Sequence, residues 1–100
     1  MTVKKVADVQ AALTSKGMTA DESSHHKMLR LEVAGTTKVV TRISHGMKEI
    51  DEHLGALMAK QCFLHLKEFW DLVDCPLSAE QWTAKIQERS VGGRNPFLGY

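Results

Sequence analysis

Met28-Leu29-Arg30-Leu31-Glu32-Val33 and Lys38-Val39-Val40-Thr41-Arg42-Ile43, separated by a short loop containing Gly35, decide the fold of this 100-residue chain. In the first run Leu29, Leu31 and Val33 point one way and Arg30 and Glu32 the other. In the second, Val39, Thr41 and Ile43 share one face and Lys38, Val40 and Arg42 share the opposite one. Two period-two runs joined by a Gly-containing loop predict a β-hairpin. Its polar face collects Arg30, Lys38 and Arg42. That is the composition of an ordinary solvated sheet face, and equally of a surface that holds phosphate.

On either side of the hairpin the period is helical. Val6, Val9 and Leu13 recur at helical spacing, so a helix is expected from Val3 to Lys16, with Thr2 as N-cap and Gly17 as the left-handed stop. A short edge strand near Met18–Ala20 is weakly signalled. After the break at Ser44-His45-Gly46, the residues Ile50, Leu54, Leu57, Met58 and Leu64 trace the apolar face of a main helix starting at Met47. Leu66 to Val73 reads as another short helix, stopped by Pro76. Ser78-Ala79-Glu80-Gln81 has the capping-box pattern and opens a last helix to about Arg89. The expected architecture is α+β: an α-β-β-β-α core with an antiparallel sheet, plus two short C-terminal helices. It forms one domain over 1–91, followed by a flexible tail over 92–100.

Composition narrows the function. Thirteen basic against 12 acidic residues give a net charge of +1, which argues against a wholesale polyanion binder. The charge is uneven, however: residues 1–50 hold eight basic and five acidic side chains, residues 51–100 five and seven. A polyanion site therefore belongs to the first half. Two cysteines, Cys62 and Cys75, do not make a disulfide framework and sit among apolar neighbours. The N-terminus lacks a basic segment followed by an apolar one. The apolar runs are far shorter than the roughly 20 residues that span a bilayer. A cytoplasmic protein without membrane association is the expectation.

Ser24-His25-His26-Lys27, at the entry to the hairpin, is the constellation closest to chemistry. A histidine near its ordinary pKa can take the proton of a ribose 2′-hydroxyl and make that oxygen a nucleophile on the adjacent phosphorus. Lys27, Arg30, Lys38 or Arg42 would hold the phosphate and offset its developing charge. On chemistry alone, adjacent histidines are more often surface polar residues.

The order of these features resembles the HicA-type toxins, small bacterial mRNA interferases with a double-stranded-RNA-binding-like fold. The resemblance rests on a first helix ending in Gly17-Met18, on Ser24-His25-His26, on the hairpin, on the Ser44-His45-Gly46 break and on a helix ending near Lys60-Gln61. It covers about residues 3–64, and 65–91 is a helical extension to it. It implies that His25 is catalytic and that Ser24, His26 and His45 are auxiliary candidates. It further implies that mRNA is the substrate, that no metal or cofactor takes part, and that a cognate antitoxin protein is a partner. Ser23 stands where the family has Gly, and Asp21-Glu22 where it tends to be basic.

Two other clusters have plainer readings. His53, Cys62 and His65 lack the spacing of converging zinc ligands. Phe63, Phe69, Trp70 and Trp82 lie among acidic neighbours, which suits a core rather than a base-stacking platform.

Overall fold

A computed structural model describes residues 3–22, 26–33, 35, 37–44, 46–74, 76–91 and 94–98. The architecture is α+β. Strand β1 (Lys4–Lys5) leads into helix α1 (Val6–Ser15). Strands β2 (Thr19–Glu22), β3 (His26–Val33) and β4 (Thr37–Ser44) follow, then a short β5 (Glu49–Ile50). Helices α2 (Glu52–Gln61), α3 (Leu66–Asp74) and α4 (Ala79–Arg89) complete the set, with a 3₁₀ turn at Pro96–Leu98. Strands β2, β3 and β4 form an antiparallel meander in chain order, and β1 pairs with β5 in a separate antiparallel ribbon.

That ribbon shortens both expected helices. Lys4 pairs with Ile50 and Lys5 with Glu49, and Val6 N–H donates to Lys48 O at 2.9 Å. The residues expected in the first turns of α1 and α2 are thus extended. Thr2, the expected cap, lies outside the described residues. Lys5 is the N-cap of α1 and makes no side-chain cap bond. Asp51 caps α2 by accepting from Leu54 N–H at 2.9 Å. The stop at Gly17 holds: its φ is +113°, Gly17 N–H donates to Thr14 O and Met18 N–H to Leu13 O, both at 3.1 Å.

Helix α2 ends in the same motif, but with a phenylalanine in the glycine position. Phe63 has φ +65°, Phe63 N–H donates to Lys60 O and Leu64 N–H to Ala59 O. The left-handed backbone disfavours a side chain there by roughly 1–2 kcal/mol. The ring is 1% exposed, and burying it offsets that penalty. The carbonyls around this helix end are then satisfied from the C-terminal part of the chain. Trp82 Nε1 donates to Cys62 O at 3.0 Å, Arg89 Nη1 to Phe63 O at 2.8 Å, and Asn95 Nδ2 to Lys60 O at 2.6 Å.

Residues 94–98, expected in a free tail from 92, therefore depart from that expectation: Asn95 is buried, and Phe97 lies against His65 and Arg89. The core is also shared rather than divided at residue 64. Val9, Leu13, Leu29, Val39 and Ile50 bury together with Phe69, Leu72, Trp82 and Ile86. The capping box of α4 forms as expected, with Ser78 Oγ accepting from Gln81 N–H and Gln81 Oε1 from Ser78 N–H.

Two interactions fix α3. Arg89 grips Glu68 with two bonds of 2.7 Å, Lys85 lies 3.1 Å away, and Glu68 also accepts from His65 N–H. The Arg89 guanidinium above all holds the Glu68 carboxyl well below the usual carboxylate range, helped by His65 N–H and Lys85 and opposed by partial burial. On the other side, Gly55 of α2 meets the Trp70 ring so closely that an added Cβ would stand 2.6 Å from Cη2 and 2.7 Å from Cζ2.

Gly55→Ala is expected to lower stability, because overpacking of about 1–3 kcal/mol outweighs the roughly 1 kcal/mol gain in helix propensity. Trp70→Phe, which removes both crowded atoms, should cost less in that background than in the wild type. A urea double-mutant cycle measures this. Because the Glu68 pKa is lowered by folding, its stabilisation is present above the ordinary carboxylate range and is lost as pH falls through that range toward the folded-state value. Glu68→Gln should cost about 1–2 kcal/mol at neutral pH and flatten the acid limb of the stability curve. Equal acid limbs for the two proteins would contradict this.

Candidate functional site

The meander has one covered face and one open face. Along β4, Thr37, Val39, Thr41 and Ile43 are buried while Lys38, Val40, Arg42 and Ser44 are exposed. The register carries that division across the sheet. Arg30 stands opposite Val40, Glu32 opposite Lys38 and Met28 opposite Arg42, and β2 adds Thr19 and Asp21 to the same face. The hairpin's expected cationic face is thus present, and Arg30, Lys38 and Arg42 share it.

Their electrostatic surroundings differ. Arg30 lies 3.9 Å from Asp21, and both side chains are more than half exposed. Lys38 has Glu32 directly across the strand pair. Arg42 faces Met28, and no ion pair to an acidic side chain is found for it among the described residues. A depression of about 450 Å³ lies between Thr19, Arg30, Glu32, Lys38 and Val40. A second hollow, about 200 Å³, runs between the β4 edge and α2, lined by Arg42, Ser44, Met47, Leu54, Leu57, Met58 and Gln61.

Lys27 is separated from the other three cations. Period-two geometry turns it to the helix side, where Nζ donates to Gln10 Oε1 of α1 at 3.0 Å. A small hollow of about 100 Å³ beside it is lined by Val6, Gln10, Ile43, Ser44, Gly46 and Met47. Ser24, His25 and His45 lie outside the described residues, as does Cys75. The sequence neighbours of the two histidines are placed: the backbone of His26 pairs with Ser44 at the end of the sheet that carries Arg42.

The remaining candidates separate in space. Cys62 is fully buried, and burial pushes its thiol up to about 12, so it is neutral at physiological pH. His65 is exposed, with its ring edge-on to Phe97 at 5.0 Å, and His53 is exposed on α2. Among the described residues no three His, Cys, Asp or Glu side chains converge as metal ligands, and no helix is long and apolar enough to cross a membrane. The aromatic cluster is core: Phe63, Phe69 and Trp82 are at most 1% exposed, and Trp70 packs half-buried against Phe69. Sequence reading misses the hollow at the β4 edge. Helical spacing puts Leu54 and Leu57 in one buried stripe, yet Leu57 is 46% exposed.

The long, solvated contact between Arg30 and Asp21 contributes little to stability. Asp21→Asn is expected to change unfolding free energy by less than about 0.5 kcal/mol while raising the affinity of this face for a polyanion such as heparin. Thermal melts and a salt-gradient heparin column check both halves. Scans against protein-family models and searches among curated proteins and solved structures gave no match to this chain.

Proposed function

We propose that the protein is a HicA-like mRNA interferase, with α1-β2-β3-β4-α2 as a double-stranded-RNA-binding-like module and the open sheet face against the RNA backbone. The observation that supports this reading most is the pairing of His26 with Ser44. They are the chain neighbours of His25 and His45, and they stand at the sheet end that carries Arg42. The described neighbours of both candidate histidines thereby stand at the same strand end as Arg42, for which no ion pair to an acidic side chain is found among the described residues.

In this reading His25 takes the proton of a ribose 2′-hydroxyl. The 2′-oxygen bonds to the adjacent phosphorus, the bond from phosphorus to the 5′-oxygen breaks, and the leaving oxygen receives a proton from an imidazolium, with His45 as the second proton carrier. The products are a 2′,3′-cyclic phosphate and a 5′-hydroxyl, and no metal is required. Arg30, Lys38 and Arg42 hold the backbone phosphates and offset charge on the phosphorane. Lys27, which donates to Gln10 Oε1 on the α1 side, stands apart from these three, and Ser24 and His26 are auxiliary. A cognate antitoxin protein is the implied partner, and the cytoplasm the implied compartment.

A second reading, a non-catalytic RNA- or protein-binding module of the same fold, is favoured by the acids on the face: Asp21 beside Arg30 and Glu32 opposite Lys38 reduce its positive field. One set of measurements separates the two. Under the nuclease reading, purified protein cleaves RNA in the presence of a chelator, and expression arrests growth. His25→Ala lowers cleavage by about 10²–10⁴-fold with an unchanged circular dichroism spectrum. Arg42→Ala weakens RNA binding and reduces the slope of log affinity against log salt by about one. Binding without cleavage or growth arrest leaves the binding module, and full cleavage by His25→Ala removes that residue from the mechanism.

A further inference from the structure

We infer that the hollow between the β4 edge and α2 is a binding pocket for one nucleobase of a single-stranded RNA whose phosphates lie on the open sheet face. The inference rests on the RNA-binding reading above and adds to it a subsite with its own chemistry.

Size sets the first limit. The hollow holds about 200 Å³, below the roughly 300–1,000 Å³ of pockets that take whole drug-sized ligands. It fits one flat ring system or one side chain. Its lining sets the second limit, because it is divided by polarity. Leu54 and Leu57 of α2 supply aliphatic surface and the half-buried Met47 a thioether, whose sulfur contacts aromatic rings favourably. Arg42, Ser44 and Gln61 supply polar groups. The Thr41 hydroxyl donates to Gln61 Oε1 at 2.6 Å, which engages the amide oxygen and leaves its N–H groups as donors.

A nucleotide has the matching division: apolar ring faces, a polar base edge and an anionic phosphate. An aliphatic side chain of a protein partner would cover Leu57 equally well, but would displace water from Ser44 and Gln61 without replacing its hydrogen bonds. Charge points the same way. Arg42 lines the hollow and also belongs to the open face, so a phosphate bound there delivers the attached nucleoside to the β4 edge. Leu57, 46% exposed and the most open of the apolar lining residues, needs no rearrangement to receive it.

The test compares a short fluorescent single-stranded RNA, 2′-O-methylated so that it lacks the cleaving nucleophile, with an abasic oligomer of equal length, phosphate number and sugar modification, by anisotropy at one salt concentration. The abasic strand is expected to bind about tenfold more weakly than the best of the four homopolymers. Leu57→Ala, which removes the exposed wall, and Leu57→Trp, which fills the hollow, should each bring the two affinities together. RNA binding in which bases add nothing, or in which both Leu57 variants keep the tenfold difference, overturns the pocket and leaves the RNA-binding reading standing. Absence of RNA binding at low salt overturns both.

Discussion

The carbonyl end of α2 is the constraint on which the rest of the molecule depends. A helix end leaves peptide oxygens without intrahelical donors, and in a buried position each must find a partner. Here the donors are the Trp82 indole, the Arg89 guanidinium and the Asn95 amide, all distant in sequence. Arg89 also brings positive charge to the negative end of the helix dipole and, through Glu68, ties α3 into the same junction. One small region thus determines how α2, α3, α4 and the 94–98 segment meet.

The open face follows from that arrangement. The sheet turns its apolar side to the core, where Leu29, Val39 and Ile43 meet residues of α1 and α2, so strict alternation sends Arg30, Lys38 and Arg42 outward. A one-residue slip of β4 would bury Lys38 and Arg42 and expose Val39 and Thr41. The register that forms the core is therefore the same register that assembles the proposed RNA surface. The Thr41–Gln61 bond joins the two, linking the covered face of β4 to the last turn of α2 at the β4-edge hollow.

Much of this is legible in the sequence wherever the signal is local and periodic. The hairpin, the Gly17 stop, the Ser78–Gln81 box and the shared face of Arg30, Lys38 and Arg42 each depend on residues a few positions apart. The ribbon of β1 with β5 is not legible, because Lys4-Lys5 and Glu49-Ile50 gain strand character only from each other. Nor is the end of α2, where Phe63 occupies a position that local rules give to glycine. Asn95 resembles tail composition because its acceptors lie more than thirty residues upstream. At the candidate site, period two by itself places Lys27 opposite to Arg30 and Arg42, so a single phosphate-binding set of all four cations conflicts with strand geometry. The hollow at β4 is hidden because helical spacing identifies an apolar stripe but not which of its members the neighbouring strand leaves uncovered.

The long-range capping of α2 also has a consequence in time. Proteins are made from the N-terminus, and early segments fold as they emerge. The carbonyls of Lys60, Cys62 and Phe63 lack these donors until Trp82, Arg89 and Asn95 have left the ribosome. The final turn of α2 therefore cannot complete its hydrogen bonds before these three residues arrive. The order of synthesis makes the final turn of α2, next to the proposed base pocket, among the last parts of the molecule to become rigid.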